Sequence, residues 1–206
     1  MLHKLFTLAT ALSVATAAPT LKSRGEGNAF SLITTVTNAP SAVDVLNTGI
    51  WALRHNPDGY ATLVPRVSGA VFYQYLNTTA NSGAVAIGSS GVVITPGGTA
   101  TVPSDNKVSL VEDQGTYSVV IHENANGIPV LEYAEGKFQA CTAKTLNAAG
   151  PNTSPSDIVI GYVQEGQRGF ADCVFVEFIS GCSGGGQGSD GIGALGKPIV
   201  VGCQPN

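Results

Sequence analysis

The sequence predicts an all-β fold, an antiparallel β-sandwich or barrel that ends in a glycine-rich, disulfide-closed C-terminal tail. Three features carry this expectation. About a dozen short runs of β-branched and aromatic residues recur at roughly 8–12-residue spacing. Apolar residues at the helical period are almost lacking between them. The runs are separated by turn residues, with 26 glycines and 11 prolines in a chain of 206. Glycine supplies positive φ and proline presets a negative one, so both mark places where a chain reverses.

Residues 1–17 read as a secretory signal peptide. His3 and Lys4 give a positive start, residues 5–14 an apolar stretch too short to span a bilayer, and Ala15-Thr16-Ala17 a small-x-small cleavage site. Residues 18–28 are expected to be a disordered N-terminus or a short pro-segment trimmed after Arg24. The β domain is placed at 29–182 and the tail at 183–206. No later run reaches the roughly 18 apolar residues of a membrane helix. The C-terminal Val201-Gly202-Cys203-Gln204-Pro205-Asn206 carries no hydrophobic tail for a lipid anchor. The expected product is secreted and either extracellular or held in a cell wall, with no membrane partner.

Within the β domain, residues 28–37 form the first expected strand, with Phe30, Leu32 and Val36 on one face. Asn38-Ala39-Pro40-Ser41 breaks it, and 43–46 reads as either a strand or one helical turn. Residues 50–55 form a strand that ends at the strong turn Asn56-Pro57-Asp58-Gly59. Strands at 60–64 and 71–76 follow, the latter on the β preference of Phe72, Tyr73 and Tyr75. Residues 84–87 and 92–95 flank Gly88-Ser89-Ser90-Gly91 as a hairpin. Further strands are expected at 107–111, 116–122, 129–133, 137–142 and 157–164, with a short last one at 199–201. The densest apolar run, 172–180, reads as one central strand.

Four cysteines, Cys141, Cys173, Cys182 and Cys203, lie in the expected mature chain. An even count in a secreted chain argues for two disulfides. Of the three possible connectivities, Cys141–Cys173 and Cys182–Cys203 are favoured. The first would join two strands of the main sheet. The second would close the tail into a loop of about 22 residues and contribute roughly 3 kcal/mol through chain entropy. No Cys-x-x-Cys occurs, so zinc is not expected.

Loss of the leader leaves 9 basic against 14 acidic residues, with no basic patch, so nucleic acid is not an expected partner. Charged residues make up only 12% of the chain, which suits a secreted, glycosylated surface. Two sequons agree, Asn77-Thr78-Thr79 and Asn152-Thr153-Ser154. Asn77 and Asn152 are therefore the expected glycan sites.

Several motifs touch on chemistry. Gly181-Cys182-Ser183-Gly184-Gly185 fits the Gly-x-Ser-x-Gly of a nucleophile elbow, but no histidine follows Ser183 and the glycines cannot readily start a helix. Residues 191–197 fit a phosphate-loop spacing, yet Pro198 stands where a magnesium-binding hydroxyl belongs. His55 and His122 have no partner at a useful spacing. Carboxylate pairs for a glycosidase are available as Glu112 with Asp113, Glu132 with Glu135, and Glu165 with Asp172 or Glu177, but no spacing selects one. Trp51, Tyr60, Tyr73 and Tyr75 would make either a sugar-stacking platform or core. Glu177 stands out as a carboxylate inside an apolar strand. No catalytic residue, metal ligand or cofactor is assigned.

The leader ending Ala15-Thr16-Ala17-Ala18-Pro19, the Phe30-Ser31-Leu32 strand, the Ala140-Cys141 strand and the closing Asp172-Cys173-Val174-Phe175-Val176-Glu177-Phe178 together resemble the small secreted cell-wall proteins of filamentous fungi, notably the phialide-type family. The Cys182–Cys203 tail is extra to that pattern, and the N-terminal half lacks its cysteines. The resemblance implies a wall-associated protein without catalysis, whose partners are cell-wall polysaccharide or other wall proteins. The expected function is a non-catalytic cell-wall or extracellular structural protein. The alternatives are a glycan-binding module or host-directed secreted factor, and a secreted hydrolase.

Overall fold

A computed structural model describes residues 25–95, 102–183 and 195–205. The chain enters it as β1 (Gly25–Gly27) and β2 (Phe30–Thr35). A 3₁₀ helix, Ser41–Thr48, follows and buries Val43 and Leu46. Next come β3 (Ile50–His55), β4 (Ala61–Pro65), a 3₁₀ turn at Arg66–Ser68, β5 (Tyr73–Asn77), β6 (Ser82–Ile87) and β7 (Ser90–Ile94). After them lie β8 (Val108–Glu112), β9 (Val120–Glu123), β10 (Pro129–Glu132), β11 (Gly136–Thr142) and β12 (Ile158–Gln164). The last strands are β13 (Val174–Val176), β14 (Ile179–Cys182), β15 (Lys197–Ile199) and β16 (Val201–Cys203).

All strand pairs are antiparallel. A nine-stranded sheet runs β13-β11-β12-β4-β3-β2-β14-β10-β9, a five-stranded sheet β15-β5-β6-β7-β8, and a two-stranded ribbon joins β1 to β16. The two larger sheets form a curled half-barrel of sandwich type. The expected all-β class is the observed one.

Alternation explains most strands. In β2, Phe30, Leu32 and Thr34 turn inward while Ser31 and Ile33 are partly exposed. Strand β12 is different, because six of its seven residues are buried. Ile158, Ile160 and Tyr162 enter the main core, and Val159 enters a smaller cluster with Cys141, Ala143, Leu146 and Ala148. A strand covered on both faces reads as a continuous apolar run rather than an alternating one. Aromatic contacts tie the core together. Phe138 meets Tyr162 and Phe178 edge-on, each with ring centroids 5.5 Å apart. Such geometry adds roughly 0.5–1.5 kcal/mol per pair beyond burial.

The structure corrects several expectations. The run 172–180 is two strands, not one. β13 lies at the edge of the large sheet, whereas β14 lies inside it between β2 and β10. Burial still alternates through the break, with Val176 and Phe178 in and Phe175 and Glu177 out. The alternating pattern therefore survives while the strand changes neighbours. The expected strand 116–122 begins only at Val120, because Ser118 takes φ 72 and turns the chain. Gly25–Gly27, inside the segment expected to be disordered or trimmed, form β1 and pair with β16. In the described part of the tail, β15 extends the five-stranded sheet against β5 and β16 pairs with β1. The leader, 1–17, lies outside the described residues.

The disulfides join Cys141 to Cys173 and Cys182 to Cys203. The first extends the β11–β13 ladder by one step beyond the Ala140–Val174 pair. The second secures β16 beside β14. Gly25 lies against its sulfurs, and a Cβ at that position would overlap Cys182 Sγ.

Candidate functional site

The β11–β12 hairpin positions the polar groups of interest at its two ends. Its register runs from Gly136 opposite Gln164 to Thr142 opposite Ile158. At the first end, the turn after β10 therefore meets the turn after β12. The Glu165 N–H donates to the Glu135 carbonyl at 2.7 Å, so the two glutamates stand side by side. Glu165 is held above the ordinary carboxylate range by the neighbouring Glu135 side chain, first through hydrogen bonding and then through its charge.

Around this pair opens a groove of about 840 Å³ at the unclosed seam of the half-barrel, between β10, the start of β11, the end of β12, and β13. Its deeper wall includes Leu131, Phe138 and Val176, all buried. Tyr133 lines it, partly exposed, with its ring 5.3 Å from that of Tyr162. Tyr162 is itself buried and donates its hydroxyl to the Tyr133 carbonyl. Burial pushes its phenol up to about 12. Gly136 permits this contact, because a Cβ there would overlap the Tyr162 hydroxyl. On the rim, Phe175 is 53% exposed, with Lys137 Nζ 5.7 Å from its ring centroid. Glu132, Glu135, Glu165 and Glu177 supply four carboxylates against the single cation of Lys137.

At the other end of the hairpin, the loop 143–157 is fastened to the turn between β3 and β4. Asp58 accepts from Asn152 N–H at 3.1 Å, Asn152 Nδ2 at 2.9 Å and Thr153 Oγ1 at 2.5 Å. Asn56 Nδ2 then donates to Thr153 Oγ1 at 2.7 Å. These bonds favour the ionised form, so Asp58 lies below the usual carboxylate range, with Thr153 the largest cause.

The residues singled out in the sequence fall out as follows. Glu135 and Glu165 come together, although the sequence offered each a different partner. Glu132 instead faces His122 across the β9–β10 pair, with Nδ1 and Oε2 3.4 Å apart and both side chains exposed. His55 is exposed at the end of β3. Ser183 donates its backbone N–H to the Ala29 carbonyl at 3.3 Å, while Gly184 and Gly185 lie outside the described residues. Of the phosphate-loop match, 191–194 also lie outside. Its Lys197 and Pro198 are in β15, a strand and not a helix start.

The aromatic platform is corrected. Tyr73 and Tyr75 are buried in a cluster with Ala29, Ala86 and Leu195. Trp51 packs against the main core and donates Nε1–H to the Leu46 carbonyl at 3.2 Å. The exposed ring that lines the groove is Phe175. Of the two sequons, Asn77 ends β5 and donates Nδ2–H to Tyr117 Oη at 2.9 Å. Asn152 is held by Asp58 as above. Among the described residues no cluster of three or more metal-ligating side chains forms, and no helix is long and apolar enough to cross a membrane.

The chain matches no protein-family model, no curated protein and no solved structure. Its resemblance to phialide-type wall proteins thus rests on the quoted residues alone.

Proposed function

We propose that this chain is a secreted, non-catalytic structural protein of a cell wall or extracellular matrix, stabilised for an oxidising medium. The observation that carries the reading is the pair of disulfides, which use every cysteine of the chain and lie where the sheet is least self-supporting. One fastens a three-residue edge strand. The other fastens the terminal ribbon. Small β-rich domains outside the cell are commonly strengthened in this way, and a reducing cytosol would undo it. The polar pairs on the surface also support a structural reading. Glu135 with Glu165, and His122 with Glu132, are solvent-facing contacts between turns or neighbouring strands.

Expression with the native leader tests this. The protein is expected in the medium or wall fraction, without free thiols and with glycan on Asn77 or Asn152. Retention inside the cell with titratable thiols would overturn the reading. Turnover in a hydrolase screen that disappears in His55→Ala, His122→Ala or Ser183→Ala would favour the catalytic alternative. A second reading, glycan binding, is favoured by the groove beside Phe175.

A further inference from the structure

We propose that the groove at the open seam of the half-barrel binds a glycan built of amino sugars, with protonated amines meeting its carboxylates and a sugar face lying on Phe175. The inference deepens the wall-protein reading and rests on it for the choice of a polysaccharide over other cations.

Three observations carry it. The first is the shape of the cavity. About 840 Å³ lies within the roughly 300–1,000 Å³ typical of ligand sites, at the mouth of a curled sheet where such sites recur. The second is the ring. Phe175 is more than half exposed and has close neighbours on one side. Lys137 lies over it, and a Cβ on Gly169 would fall 3.2 Å from its Cζ. An exposed aromatic ring offers a flat apolar surface to the C–H face of a sugar. The Lys137 contact also shows that the ring accepts a cation. The third is charge. Glu135, Glu165 and Glu177, with Glu132 beside His122, line the groove with one Lys137, so it repels polyanions and favours a cationic occupant. Glu135 and Glu165 stand in contact with each other, and an ammonium between them would relieve their repulsion. The proton affinity of Glu165 is raised by the same neighbour, first through hydrogen bonding and then through charge.

A basic peptide would answer the charge equally well but fits the rest less well. Peptides that join sheets use a run of free edge and a row of alternate side-chain pockets. Here the edge strand, β13, has three residues, and the groove offers one exposed phenylalanine ring.

Calorimetric titration of the purified, disulfide-intact protein tests the proposal at about pH 5.5, where most carboxylates are ionised. The probes are a glucosamine hexamer, its fully N-acetylated counterpart, a β-1,3-glucan hexamer and a lysine hexapeptide. The glucosamine oligomer is expected to bind at least tenfold more tightly than the other three. Phe175→Ala and Glu165→Gln should each weaken it on the order of tenfold. Glu112→Gln, which makes the same charge change on β8 away from the groove, should leave it unchanged. Equal binding of the acetylated oligomer or of the peptide would overturn the inference. So would equal loss in Glu112→Gln, or no binding by any probe. Thermal melts confirm that each variant is folded. The titration does not depend on where the protein resides, so failed secretion and a failed groove are separate results.

Discussion

The two ends of the β11–β12 hairpin make opposite use of carboxylates. At the loop end, Asp58 faces only donors, from Asn152 and Thr153, and its charge is favoured. At the groove end, Glu165 faces another carboxyl, that of Glu135, and its charge is opposed. The same strands and the same residue chemistry thus give one end that is satisfied within the protein and one that would gain from an external cation. The disulfide reinforces the contrast. Cys141–Cys173 lies toward the loop end of β11 and β13, while Phe175, Val176 and Glu177 run from it toward the groove. What differs is the partner supplied to each carboxylate and not the exposure of the site.

The largest test of this contrast removes the covalent tie. Cys141→Ala with Cys173→Ala should cost roughly 3–4 kcal/mol in urea unfolding, by loop entropy. Hydrogen exchange should rise first in 143–157 and β13. Faster exchange confined to 133–136 instead would show that the loop end does not depend on the tie. Next, Gly136→Ala drives a methyl into the Tyr162 hydroxyl and should destabilise by about 1–3 kcal/mol. If the melting temperature is unchanged, the groove end is looser than described here. Ser180→Ala is a control that belongs to neither end. Its hydroxyl is buried in β14 without a hydrogen-bond partner. Its removal should raise stability by about 1 kcal/mol, and a loss of stability would mean that the hydroxyl is satisfied in solution.

The smallest effect is the most specific to the comparison. Asp58 has a lowered folded pKa, so its contribution is present above the unfolded value of about 3.9 and is lost as pH falls. Glu165 has a raised folded pKa, so its contribution is present below the unfolded value of about 4.3 and is lost as pH rises through the folded one. Melting curves at stepped pH should show Asp58→Asn flattening the acid side and Glu165→Gln flattening the decline above it. Curves that change in the same direction in both variants would dissolve the distinction between the ends.

Much of the fold was legible because turns announce themselves. Asn56-Pro57-Asp58-Gly59 and Gly88-Ser89 are local signals, and the strands beside them fall close to expectation. Gly25–Gly27 was not legible, since Gly-Glu-Gly resembles a linker and becomes a strand only through its partner Val201–Cys203. The division of 172–180 was hidden for a different reason. Alternation records which face a residue takes, not which strand lies beside it. The groove was half legible. Both glutamates were noted, but their meeting depends on the register that sets Gly136 opposite Gln164, and a sequence does not print a register. Asp58 and Asn152 are 94 positions apart, and nothing local connects them.

The two disulfides also define a covalent map. They close residues 141–173 and 182–203 into separate rings that neither overlap nor nest. A protease that nicks either ring frees no fragment until the sulfurs are reduced. Between the rings, only 174–181, which hold β13 and most of β14, form a single unbacked thread. In the C-terminal third of the chain, resistance to being cut in two therefore rests on the folding of those residues, whereas their flanks are protected by topology.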